Sequence, residues 1–323
     1  MPSSYPPPRT ARRLRVSFIG AGRMGERHAR AFAQLSDLFE LAAVHDAEPE
    51  RARALAATLP LTVAPAAEAA IERADVVVVA TPPSAHERPV SAALRAGRAV
   101  LVEKPIALSV EAASRLVTLA FDAGAPLYVG HSERFNPVIA HLSKVAAPDH
   151  LRGLSFRRIG DPSLAPACES VLLDLGIHDL DLAGFLLATP LEVTEARSGV
   201  AVEVRLRTSG GIPVTLHAQR AGLPPAREAS LRVAGGVYHA DLLRHRLTFS
   251  PAGGESTPLR VEPADPLREQ ARALYRALAT SAKASLATAV DGARAVELAR
   301  LAEKLSGPSS VWYPGQYHAS LGR

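Results

Sequence analysis

Cysteine occurs once in 323 residues, at Cys168, and lysine four times, at Lys104, Lys144, Lys283 and Lys304. A single thiol can neither close an internal disulfide nor supply a thiolate zinc cluster, and it suits a reducing compartment. No uncharged apolar run approaches the roughly 18 residues that cross a bilayer. The densest run, Val76 to Ala80, has the length of a buried strand instead. Aromatic residues make up only 5% of the chain. The net charge of +5 therefore has no aromatic platform beside it, and no basic stripe, which excludes a nucleic-acid surface. Of the 37 cationic residues all but the four lysines are arginine, a bias of base composition rather than of function.

What is present is the composition of a soluble globular protein, 47% apolar and 21% charged. At about 150 residues per domain the length predicts two domains. The stretch before the first strand, residues 1–14, holds three consecutive prolines and reads as a disordered arm. The apolar residues behind it, Val16 to Ala21, are too few for a signal peptide, so the expected location is cytoplasmic.

Residues 15–130 alternate apolar runs with helical patterns, as βαβ units require. Strands are predicted at Arg15–Ile19, Leu38–His45, Asp75–Ala80, Ala99–Val102 and Pro126–Gly130, giving a doubly wound parallel sheet of the Rossmann kind. From 131 to 305 the pattern becomes α+β. It has a helix near Val171–Leu187, a largely antiparallel sheet from Leu191 to Ser250, and helices at Leu267–Thr280 and Val290–Leu305. The segment between Asn136 and Val171 reads as one helix and a loop, and residues 306–323 as a tail.

Three motifs carry chemistry. Gly20-Ala21-Gly22-Arg23-Met24-Gly25 follows the first strand and opens a helix, so its backbone can approach a pyrophosphate held on the helix N-terminus. Asp46 ends the second strand, where it can accept from an adenosine ribose and repel a 2′-phosphate; NAD is expected ahead of NADP, although Arg51 and Arg53 pull the other way. Thr81, Pro82 and His86 end the strand at Val76–Ala80, and Glu103-Lys104-Pro105 end the next, where open α/β sheets bind their ligands. A lysine there can be tuned by burial, as an arginine cannot.

The third motif is Asp174 to Asp181. On one helix, positions 174, 178 and 181 share a face, so Asp174 and Asp181 flank His178, an imidazole able to take a hydroxyl proton. Two other readings stand beside this: a polar patch at a helix N-terminus, and a metal pair, for which no third ligand forms a recognisable motif. His131, Glu133, Arg134 and Asn136 lie at the domain junction and suit a polar ligand. Glu133 and Arg134 suit an internal ion pair equally well.

Taken together, the glycine loop, Glu103-Lys104-Pro105, the Gly130–Pro137 segment and the Asp174–Asp181 run resemble the Gfo/Idh/MocA family of NAD(P)-dependent oxidoreductases. The likeness spans about Leu14 to Leu305. It implies a Rossmann domain, a second α/β domain whose open sheet joins subunits of a homo-oligomer, and a cis Lys104–Pro105 bond. It also implies Lys104 as active-site lysine, His178 as acid/base with Asp174 as its partner, and cofactor contacts at Thr81, Pro82, His86 and Glu103. Gly-His-Ser-Glu-Arg-Phe-Asn-Pro, together with Arg158 to Pro162, is most similar to the family's UDP-N-acetylglucosamine 3-dehydrogenases. The implied reaction is oxidation of a secondary sugar hydroxyl. A free sugar, an inositol or another nucleotide sugar as substrate, and a non-catalytic cofactor-binding sensor, are the alternatives.

Overall fold

The computed structural model describes residues 12–146, 150–161, 163–164, 168, 170–220, 224–280 and 285–307. The expected arm up to residue 11 and the expected tail from 308 onward lie outside these.

The first sheet is built from β1 (Leu14–Ile19), β2 (Phe39–His45), β3 (Thr62–Val63), β4 (Val76–Val79), β5 (Ala99–Val102) and β6 (Leu127–Val129). All six run parallel, in the order β3-β2-β1-β4-β5-β6. The connecting helices are α1 (Arg23–Ala33), α2 (Pro49–Ala56), α3 (Ala67–Glu72), α4 (Glu87–Arg95) and α5 (Val110–Asp122). The four valines of β4 are all buried, because a parallel sheet is covered on both faces and selects continuous apolar strands. Ser109 caps α5 by accepting the Ala112 N–H, and α5 ends at Gly124, whose φ of 58° needs a residue without a Cβ. Chain order reverses between β1 and β4, which puts the ligand crevice at the carboxyl ends of these two strands.

Helix α6 (Pro137–Val145) leads to β7 (Leu151–Ile159), a π-helical turn at Leu172–Gly176, and α7 (Ile177–Leu187). Strands β8 (Leu191–Ser198), β9 (Val202–Thr208), β10 (Pro213–Gln219), β11 (Ala226–Val233), β12 (Gly236–Asp241), β13 (Arg246–Pro251) and β14 (Thr257–Leu259) follow. With β7 they form an eight-stranded sheet in the order β14-β13-β12-β11-β7-β10-β9-β8, antiparallel except for the β7/β10 pair. Helix α8 (Pro266–Thr280), strand β15 (Ala287–Thr288) and helix α9 (Ala289–Ser306) end the described chain. Among the described residues no helix is long and apolar enough to cross a membrane.

Three features differ from the sequence expectation. Strand β7, expected as loop, is central to the second sheet; its three arginines and Gly153 hide the strand pattern, and one of them, Arg158, points inward to a carboxylate. The helix expected over Val171–Leu187 begins with the π-helical turn, which changes where Asp174 points. Finally, 131–305 does not form one separate unit. Ala271 and Leu274 of α8 join the core of the first sheet, Tyr275 stacks edge-on against Phe39, and β15 adds antiparallel to β6. On the other face of the first sheet, one continuous apolar cluster runs from Val77 and Val79 through α5 and α9 to Val204 and Leu216 of the second. The two sheets are therefore built on a shared core.

Candidate active site

The nucleotide end is shaped by glycine. At Gly20, φ is +99° and an added Cβ would lie 2.6 Å from the Ala80 backbone; at Gly25 it would lie 1.9 Å from the Gly20 carbonyl. At Gly22 it would meet no atom within 4 Å, so this residue faces open space. Among the described residues no side chain caps the start of α1, which leaves its first N–H groups available to an anion, with exposed Arg23 and half-buried Met24 on the first turn. Asp46 Oδ2 accepts the Ala21 N–H at 2.6 Å and Oδ1 the Glu48 N–H at 2.8 Å, fixing the carboxylate at the rim of the loop. Arg51 pairs with Glu48 at 2.9 Å and Arg53 pairs with Glu50. The two cations suited to a 2′-phosphate are thus engaged. Thr81 Oγ1 is buried with no partner among the described residues, at the C-terminal end of β4. These features fit an NAD.

Gly22→Ala tests the cradle. The backbone at Gly22 has φ −72°, which alanine adopts freely, and the methyl has room. The variant is expected to keep the wild-type melting temperature while binding NAD about tenfold or more weakly, a loss of about 1.4 kcal/mol. Calorimetric titration with NAD beside a thermal melt checks it.

The side chains of His86 and Glu103, expected to contact the cofactor, are engaged with the protein. The His86 ring is 1% exposed, and its nitrogens lie 2.9 Å from the Pro105 carbonyl and 3.0 Å from the Thr81 carbonyl. It therefore fastens the two strand-end loops together from behind. Glu103 is buried against His28, whose Nε2–H donates to it at 2.6 Å. The Lys104–Pro105 bond is cis.

At the reacting end, Lys104 Nζ donates to the Asp174 carbonyl at 2.7 Å and lies 3.7 Å from Asp174 Oδ1. Asp174 Oδ2 accepts from Arg220 at 2.7 Å, and Arg220 also donates to the Cys168 carbonyl. The carboxylate expected to orient His178 thus turns to Lys104 and Arg220, a consequence of the π-helical turn; Asp181 turns to Arg134. His178 is partly exposed, and its buried Nδ1 has no partner among the described residues. His131 meets it edge-on at 6.4 Å, with both ring nitrogens likewise unpartnered.

Burial and then the neighbouring Lys104, Arg158 and Arg227 cations drive the His178 pKa well below the ordinary histidine value, so the ring is neutral near pH 7. Burial also lowers the Lys104 pKa, opposed by Asp174 and Glu103. Burial and Asp174 push the Cys168 thiol to about 11, too high for a thiolate nucleophile at neutral pH. Among the described residues no group of three His, Cys, Asp or Glu is placed to hold a metal ion.

Glu133, Arg134 and Asn136, expected to contact a ligand, are committed to internal partners. Arg134 forms a two-pronged pair with Asp181 at 2.8 and 2.6 Å. Glu133 accepts from Arg227 at 2.9 Å and from Asn136, whose Oδ1 caps α6. Arg158 grips Asp179 and approaches Glu133 at 3.5 Å. The pairing that left Glu133 and Arg134 as each other's partner is also corrected: each finds its counter-ion on another element. These groups form a charged layer beneath the histidines. Sequence reasoning missed His28 and Arg220. His28 had a signal, three positions past Gly25 on the same helix; Arg220 had none, being 46 residues from Asp174 and brought there only by the sheet.

Comparison with known proteins agrees with this geometry. Residues 14–131 match the Gfo/Idh/MocA family model, described as an oxidoreductase family with an NAD-binding Rossmann fold. The chain is 31% identical to a UDP-N-acetylglucosamine 3-dehydrogenase of Acidithiobacillus ferrooxidans over 76% of this chain and 79% of that one. It is 33% identical to an inositol 2-dehydrogenase of Rhizobium meliloti over 77% and 78%. A solved structure of the Acidithiobacillus ferrooxidans enzyme superposes with a TM-score of 0.83 at 27% identity, covering 91% of this chain and 99% of that one. A levoglucosan dehydrogenase solved with NADH and L-sorbose shares the fold, with a TM-score of 0.83 at 19% identity over 91% of this chain and 97% of that one. The chain belongs to the Gfo/Idh/MocA family of NAD-binding oxidoreductases.

Proposed function

We propose that the protein oxidises the 3-hydroxyl of UDP-N-acetylglucosamine to the 3-keto sugar nucleotide. The observation that carries the reaction class is the pair of Lys104 and His178, a half-buried lysine whose charge reaches a neutral imidazole with no protein partner at its buried Nδ1 among the described residues. NAD, when bound, supplies the hydride acceptor. The reacting carbon gives up a hydride and its oxygen a proton, leaving a carbonyl. His178 takes that proton, and Lys104 holds the developing negative charge on the oxygen. Asp174 and Arg220 keep the ammonium in place. His131, whose ring nitrogens make no hydrogen bond among the described residues, bonds a neighbouring substituent of the sugar in this reading.

The nucleotide sugar is supported by the 31% identity to a UDP-N-acetylglucosamine 3-dehydrogenase across most of both chains. The 33% identity to an inositol 2-dehydrogenase supports the second reading, a free cyclitol. The enzyme works in the cytoplasm, in keeping with its lone cysteine, and as a homo-oligomer joined through the open face of the second sheet, as the family resemblance implies.

The test is NADH formation with UDP-N-acetylglucosamine, N-acetylglucosamine and myo-inositol in parallel, with an aminotransferase present to draw off ketone. Turnover that requires the UDP group is expected. Turnover with myo-inositol and none with the nucleotide sugar replaces this reading with the second.

A further inference from the structure

Behind the reacting end lies a buried pair that neither hydride nor proton transfer uses. His28 sits on α1 one turn past Gly25 and is 1% exposed. Its Nε2–H donates to Glu103 Oε1 at 2.6 Å, and Nδ1 has no partner among the described residues. Glu103 Oε2 in turn accepts the Lys104 backbone N–H at 3.2 Å. The carboxylate is walled in by Gly130, where an added Cβ would lie 2.8 Å from Oε1.

We propose that His28 is a positioning residue for Lys104: through the buried Glu103 carboxylate it fixes the lysine's peptide and keeps a negative charge beside its ammonium. The groups around these two are few. Lys104 faces Asp174 from the π-helical turn, Glu103 from its own strand end, Cys168, Arg158 of β7, and the rings of His131 and His178; Arg220 shares its Asp174. Glu103 faces His28 of α1, His86 and Lys104. Asp174 and Glu103 are thus the two carboxylates that support the ammonium against burial, and each has an anchor of its own. Arg220 anchors Asp174, and His28 anchors Glu103. Burial pushes the Glu103 carboxyl upward, and the His28 hydrogen bond, with Lys104 and His86 nearby, reverses this to hold it below its ordinary value. Without His28 the enclosed carboxylate loses the hydrogen bond that offsets its burial, and its support of the Lys104 ammonium weakens. Because His28 rides on the helix whose N-terminus receives the pyrophosphate, one side chain joins the cofactor end of the cleft to the reacting end.

The kinetic side of this inference rests on the role proposed for Lys104; the charge side does not. With only four lysines in the chain, selectively 13C,15N-labelled lysine gives few enough side-chain signals to titrate Lys104 directly, assigned by its loss in Lys104→Arg. His28→Leu is expected to move the Lys104 titration down by about one pH unit, a tenfold change in its charged-to-neutral ratio. The alkaline limb of kcat should move with it, and NAD affinity should stay within about twofold. His28→Gln, which can still donate to Glu103, should restore most of the shift. If His28→Leu fails to fold, Glu103→Gln makes the same measurement with His28 intact. A Lys104 titration identical in wild type and folded His28→Leu, or in wild type and Glu103→Gln, overturns the proposal. A shifted titration with an unmoved kinetic limb upholds it and removes Lys104 from the reaction instead.

Discussion

Lys104→Met is expected to lower kcat about 10³-fold with NAD binding intact, the loss typical of removing a charge-stabilising or proton-handling group from a reacting oxygen. The side chain is chosen to match length without charge. Nζ makes its close contact with the Asp174 carbonyl, on the substrate side of the cleft, and none with the glycine loop, so NAD affinity is the internal control. The pH profile carries the sign. Lys104 is pulled below its ordinary value by burial, so in wild type the ammonium is lost, and the rate falls, at a pH below the usual lysine range. His178 is depressed too, so its neutral, proton-accepting form persists on the acid side past the ordinary histidine range. The profile should therefore be broad, its acid limb below 6.5 and its alkaline limb below 10.5. Lys104→Arg, which cannot deprotonate, should erase the alkaline limb while remaining slow, because a planar guanidinium does not fit the single contact at 2.7 Å. Full activity in Lys104→Met, or an alkaline limb that survives in Lys104→Arg, would take this residue out of the chemistry.

How much of this was legible beforehand depended on whether the signal was local. The glycine loop, Asp46 at the end of β2 and Lys104 at the end of β5 are positions relative to a strand, and strands of a parallel sheet announce themselves as unbroken apolar runs such as Val76–Val79. The short β3 has no such run and was not foreseen. The directions of the charged side chains were less accessible. Glu133 looked available to a ligand because its partners, Arg158 and Arg227, come from β7 and β11, far along the chain and side by side only once the second sheet forms. The face shared by Asp174, His178 and Asp181 assumed an unbroken α-helix. One π-helical turn sent Asp174 to Lys104, and nothing in Leu172–Gly176 marks that turn in advance. His86 illustrates a third case: the residue type and place suited a cofactor contact, yet its buried ring lies between two backbone carbonyls, one of which takes its N–H.

The same charged layer should dominate stability. Arg158 has a side chain 2% exposed and is bound two-pronged to Asp179, with Glu133 at 3.5 Å. Arg158→Met keeps the apolar stem and deletes the guanidinium, which leaves two buried carboxylates with only Arg227 and Asn136 between them. Breaking a buried pair by removing one partner costs about 3–5 kcal/mol, because the remaining charge is uncompensated. For a chain of this size that should lower the melting temperature by about 4–7 °C. Changing both partners, Arg158→Met with Asp179→Leu, should recover a large part of the loss, since an apolar pair of similar volume often replaces an ion pair at little cost. The dependence on pH identifies the cause. Asp179 is already raised by burial in spite of Arg158, and loses that opposition in the variant. A carboxyl whose folded pKa lies above its unfolded value binds more protons when folded, so stability is regained as pH falls toward and through that raised pKa. The deficit of Arg158→Met relative to wild type should therefore narrow between about pH 8 and about pH 5 in urea titrations. A deficit that stays constant over this range would assign the loss to packing of the guanidinium and not to the charges it neutralises.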